Sequence, residues 1–114
     1  MRRPTLPLVA VLVLAQAGSA QAATTNLHTN RLGCRSYQDM IDFIRLGQQA
    51  KNDDTLMEIV IKGMFDKIAN STCHQFTAGT PVTADETRTE QGEALICLRA
   101  AEQDHCFWAL GNHP

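Results

Sequence analysis

"ALICLRAAEQDHCFWAL", residues 94–110, decides the fold. Two apolar runs, "ALICLRA" (94–100) and "HCFWAL" (105–110), flank a short polar stretch, which is the pattern of two antiparallel strands and a turn. The segment also holds two of the chain's four cysteines. Cys97 and Cys106 are symmetric about Ala101-Glu102, so a hairpin centred there sets them directly opposite each other and sets Arg99 opposite Asp104. In a two-residue hairpin the 97:106 pair is non-hydrogen-bonded, with Cα atoms about 4.5 Å apart, within reach of a disulfide.

Working outward, Cys34 precedes and Cys73 follows a segment of helical period. "SYQD" (36–39) is a helix start, with Ser36 as N-cap and Asp39 three residues on. Tyr37, Met40, Ile41, Ile44 and Gln48 share one face of this amphipathic helix, which ends near Lys51. "KNDDT" breaks the pattern, and "TLME" (55–58) is a second capping box. The second helix carries Leu56, Met57, Ile59, Val60, Ile61, Met64, Phe65 and Ile68 around most of its circumference, which predicts burial on two sides. Gly63 in its middle costs about 1 kcal/mol relative to Ala, and predicts a close crossing opposite Gly47. In an antiparallel helical hairpin the two outer ends are neighbours, so Cys34 meets Cys73. One topology thus supplies both pairings, out of three connectivities open to four cysteines.

Past the helices the pattern becomes strand-like. "CHQFTAG" (73–79) reads as one short strand before a turn and "TPVTA" (80–84) as a second strand, while the polar "DETRTEQGE" (85–93), with Gly92, reads as a loop. Pro81 suits a strand start or a sheet edge. The fold expected is α+β: a two-helix hairpin packed on a small antiparallel meander and stapled by two disulfides. The run "CHQFTAGTPVTADE" (73–86), a loop, and then residues 94–110 resembles the strand order of bacterial SH3-like small barrels. In those a Gly-x-x-Val turn and strand precede a hairpin whose last strand carries Trp; Gly79, Val82 and Trp108 are the matching residues. The whole chain also resembles short uncharacterised exported bacterial proteins with a helical hairpin ahead of such a segment. The resemblance implies a module that binds peptides or cell-wall material.

The N-terminus addresses the chain. Arg2 and Arg3, the apolar "LPLVAVLVLA" (6–15) and the small-residue "AQAGSAQAA" (15–23) make a secretory signal peptide, with cleavage after Ala20 or Ala22. Ala20-Gln21-Ala22 is the A-x-A match. The apolar run is shorter than the roughly 20 residues a membrane span needs, so the mature protein is expected to be soluble, in the periplasm or secreted. Residues 1–22 are assigned to the leader, 23–33 to a flexible segment and 34–114 to a single domain. Without Arg2 and Arg3, 8 basic residues face 12 acidic ones, a net charge of −4, which leaves no basic footprint for nucleic acid. Four cysteines in a short exported chain read as structural staples for a small core.

Other chemistries fit these residues less well. Met40, Met57 and Met64 lie on apolar stripes and are assigned to the core rather than to copper. Cys73, His74, His105 and Cys106 are metal-ligand types, but no C-x-x-C or H-x-x-x-H pair brings them together. Redox and haem motifs, phosphate-binding glycine loops and serine-nucleophile motifs do not occur. The expectation is a non-enzymatic binding or adaptor protein without cofactor or metal. Its partner would be a protein or cell-envelope component and its contact surface Tyr37, Phe107 and Trp108. The alternative is a small periplasmic hydrolase or metal-handling protein using His74, His105 and the loop carboxylates.

Overall fold

The computed structural model describes residues 24–90 and 92–114; the leader expected over residues 1–22 lies outside them. The elements are β1 (Thr25–Asn26), β2 (Arg31–Cys34), α1 (Tyr37–Gln49), α2 (Asp54–Ala69), β3 (Cys73–Phe76), β4 (Pro81–Glu90), β5 (Glu93–Ala100) and β6 (Phe107–Leu110). All six strands join one antiparallel sheet in the order β1-β4-β5-β6-β2-β3. The chain is therefore α+β, with both helices inserted between the paired strands β2 and β3 and with two disulfides.

Connection lengths show that the sheet curls. In a flat sheet β1 and β2 would stand four strand spacings apart, roughly 19 Å, and so would β3 and β4. Residues 27–30 and 77–80, four each, make these two connections, and a fully stretched link of that length reaches only about 17 Å. The links are not stretched: Thr80 N–H donates to the Thr77 carbonyl at 3.2 Å, closing a tight turn. Ala78 N–H donates to Asn30 Oδ1 at 2.7 Å and Gly79 N–H to the Leu27 carbonyl at 2.9 Å, so the two links are tied together. The two ends of the sheet must approach each other.

Side-chain alternation then gives the sheet two buried faces. Leu27, Phe76, Val82, Ile96, Leu98, Ala100, Phe107 and Ala109 form one cluster. On the other face Cys34, Cys73, Leu95, Cys97 and Trp108 meet Met40 and Ile41 of α1 and Met64 of α2. β5 is buried by both, which is why "LICL" (95–98) is apolar without alternating. At Gly33 a Cβ would sit 2.9 Å from Phe107 Cβ, so only glycine lets β2 lie this close to β6.

The helix ends follow local chemistry. Ser36 Oγ accepts the Asp39 N–H at 3.1 Å. At α2 the cap is Asp53, accepting the Leu56 N–H at 3.1 Å, rather than Thr55; a carboxylate there satisfies an orphan donor and also meets the positive helix end.

Five expectations are corrected. Of the segment 23–33 expected to be flexible, the described part is not: 25–26 and 31–34 are strands, and Leu27 is buried between them. Residues 85–90 of the expected loop are strand. Thr87 and Thr89 alternate with Glu86, Arg88 and Glu90 in the far half of β4, which lacks an apolar signature because both its faces are exposed from Asp85 to Glu90. The β5–β6 register is displaced by two, placing Cys97 opposite Trp108. A two-residue displacement keeps every side chain on its face, so Cys106, just before β6, still bonds Cys97, with Cα atoms 5.2 Å apart. Arg99 therefore pairs with Asp85 at 2.9 and 3.1 Å, not with Asp104. Asp85 is the extra residue of a β-bulge between Ala84 and Glu86, which re-aims its carboxylate. Finally, no atom lies within 4 Å of a Cβ built on Gly47 or Gly63, so the helices do not cross closely there.

Candidate functional site

The helices are separated instead by a groove. Cys34 and Cys73 pair in register and are joined by a disulfide, so the chain leaves and re-enters the sheet at one fixed point. Met40 and Ile41 of α1 and Val60 and Met64 of α2 are buried, which fixes one side of each helix. Above that contact a cavity of about 420 Å³ opens, with walls that include Phe43 and Leu46 from α1 and Leu56, Ile59 and Val60 from α2. Lys67 on α2 meets Asp39 on α1 at 3.7 Å at its edge.

Burial on two sides was expected of α2, and it is buried on one. Ile59 is 62% exposed, Phe65 65%, Ile61 47%, and Leu46 on α1 44%. Scattered exposed aliphatics need no explanation, but Leu46 and Ile59 share one concave apolar wall. The sequence signal was present, as a helix apolar on nearly every side; it shows surplus apolar surface without showing which side stays uncovered.

A second constellation lies where α1 begins. Tyr37 stands edge-on to Trp108, with centroids 5.0 Å apart and planes at 88°. The Arg88 guanidinium from β4 lies 4.5 Å from the Tyr37 centroid and 4.8 Å from that of Trp108, with Glu86 at 3.0 Å. The Tyr37 hydroxyl is buried and makes no hydrogen bond of normal geometry. Burial is the largest cause raising its pKa; the neighbouring Glu90 carboxylate adds to the rise and Arg88 opposes it.

The expected contact surface is therefore redistributed. Phe107 faces the other side of the sheet, packed with Phe76 at 6.0 Å, while Trp108 is buried under the helices and Tyr37 is half-buried. The three do not form one exposed patch, because neighbours on a strand point to opposite faces. His74 is placed against Phe76 and Phe107, with centroids at 4.5 and 5.5 Å, and His105 Nε2 stands 3.1 Å from Asp104. Cys73 and Cys106 are both in disulfides and offer no thiolate. Among the described residues no three His, Cys, Asp or Glu side chains gather at metal-binding distance, and no helix is long and apolar enough to cross a membrane.

No family model, curated protein or solved structure matches the chain.

Proposed function

We propose that the protein is an exported, non-enzymatic binding module of the bacterial periplasm, and that the α1–α2 groove is where it takes a protein or cell-envelope partner. The observation that carries this reading is the groove itself: an apolar concavity walled by Leu46 and Ile59, on helices whose outer ends are anchored by Cys34–Cys73. An apolar concavity of this size, present in the folded chain, suits a recognition surface whose ordering cost is met in folding. Two disulfides suit an oxidising compartment, and the leader read from residues 1–22 supplies the route. The curled sheet, with the Gly79–Val82 turn and Trp108, is read as an SH3-like small barrel in which the helix pair, not an aromatic cleft, makes the contact.

The test uses the mature protein, from Ala23, as bait in periplasmic extract, alongside a Leu46→Gln/Ile59→Gln variant. Gln is a strong helix former, so the helices are retained while the apolar wall is lost. A partner held by the native protein and released by the variant is expected; capture that ignores the substitution would assign binding elsewhere.

A further inference from the structure

The outer edge of β4 carries an inference independent of the groove. β1 covers only its beginning, through Thr25↔Val82 and Asn26↔Pro81. The remaining backbone directions can be worked out. Gly111 N–H donates to the Ala94 carbonyl at 2.8 Å, so Ala94 turns its backbone groups away from β4. By alternation Glu93, Leu95 and Cys97 turn theirs toward β4, bonding to their register partners Glu90, Arg88 and Glu86. Thr87 and Thr89 are left with backbone N–H and C=O pointing outward, and no strand among the described residues lies along them. All five residues 86–90 are exposed.

This run reads Glu86-Thr87-Arg88-Thr89-Glu90, so its charges fall at every second position and alternate in sign. An antiparallel two-fold pairing reads each strand against its own reversal. We propose that the free edge of β4 pairs with the same edge of a second copy, antiparallel and centred on Thr87, to make a continuous sheet across a two-fold axis. In this register Thr87 exchanges backbone hydrogen bonds with Thr87 of the copy. Glu86 then stands opposite Arg88 of the copy and Arg88 opposite Glu86, in non-hydrogen-bonded pairs where side chains come closest. Shifting one strand by a single residue faces an outward-bonding residue with an inward-bonding one. Centring on Arg88 restores the bonding but sets Arg88 against Arg88 and Glu86 against Glu90, and like charges directly opposite are unfavourable; centring on Thr89 also sets Arg88 against Glu90 but runs Glu86 against Gly92, in the turn beyond β4. Charges on a sheet edge ordinarily repel other strands; their order here rejects an unrelated strand and admits a copy. Arg88 is already held over Tyr37 and Trp108 beside Glu86, so little side-chain freedom is lost on pairing. A contact of so few residues falls below the size of stable interfaces and gives a weak, exchanging dimer.

Sedimentation of the mature, disulfide-bonded protein up to about 1 mM reads this directly. A concentration-dependent dimer is expected in the native protein. Thr87→Pro removes an outward N–H without touching the ladder to β5, as edge positions allow, and is expected to stay monomeric. Glu86→Arg sets arginine against arginine and is expected to weaken association at least about tenfold. Adding Arg88→Glu to it restores unlike pairs and is expected to recover the association. A native protein that remains monomeric at about 1 mM, or a Thr87→Pro variant that dimerises as the native does, overturns the proposal. Failure of the swapped pair to recover association, with Trp108 fluorescence unchanged, overturns the register.

Discussion

Phe76 and Phe65 are the same residue in two regions that treat it oppositely. Phe76, on β3, is 1% exposed inside the curled sheet, whereas Phe65, on α2, is 65% exposed. The contrast holds more widely: every residue from Leu95 to Leu98 is buried, while Val60 and Met64 are the buried residues of the whole sixteen-residue α2. The sheet uses its apolar side chains to fold, and the helix pair keeps a share of its own uncovered. On the binding role proposed for the groove, stability and recognition are separated, with Cys34–Cys73 at the boundary between them.

The strongest way to break this comparison is to truncate both phenylalanines. Phe76→Ala is expected to cost about 3–5 kcal/mol, from lost burial and the cavity left behind, and Phe65→Ala to stay within about 0.5 kcal/mol, as exposed positions do. Denaturant titration reads both, and equal losses would erase the distinction.

The disulfides come next. Their sequence separations are 39 and 9, so in the chain-entropy model Cys34–Cys73 restricts the unfolded chain by about 4 kcal/mol and Cys97–Cys106 by about 3. Replacing Cys34 and Cys73 together by Ala is expected to lower the melting temperature more than replacing Cys97 and Cys106. A reversed order would place the weak point in the β5–β6 loop, not at the base of the helices.

Gly33→Ala sharpens the account of the sheet. The new methyl would lie within 2.9 Å of Phe107 Cβ and must push β2 from β6, at a cost of about 1–3 kcal/mol by thermal melting. A neutral substitution would show that the two strands have room to part.

The smallest effect is electrostatic. Tyr37 is the only tyrosine, and its folded pKa lies above the ordinary 10.0 through burial first and Glu90 second. Its stabilising contribution is complete below the unfolded value and fades as pH rises through the raised folded one. Spectrophotometric titration should find the phenol pKa lowered by Glu90→Gln and raised further by Arg88→Met, because Arg88 opposes the shift. The opposite signs would remove both side chains from the Tyr37 environment.

Much of the framework was legible in the sequence. The Ser36 cap, the helical period and the "ALICL" run state local chemistry that the fold keeps. Three things were not legible, each for a physical reason. From Asp85 on, β4 is polar on both faces, so hydrophobic alternation could not reveal Thr87 and Thr89 as strand residues. The β5–β6 register depends on a six-residue connection in which Gln103 Oε1 accepts the Ala100 N–H at 2.8 Å, whereas cysteine symmetry favours a two-residue turn. The groove arises from the spacing of two helices, and pattern shows that α2 is apolar all round without showing how far α1 stands from it.

The central claim is that the groove wall is surplus to folding. Denaturant unfolding of Leu46→Gln/Ile59→Gln beside the native protein tests it most directly. Both side chains are more than two-fifths exposed, so the two free energies are expected to agree within about 1 kcal/mol with the same dependence on denaturant. A loss of about 3 kcal/mol or more would show that Leu46 and Ile59 belong to the core, and would contradict the separation of stability from recognition.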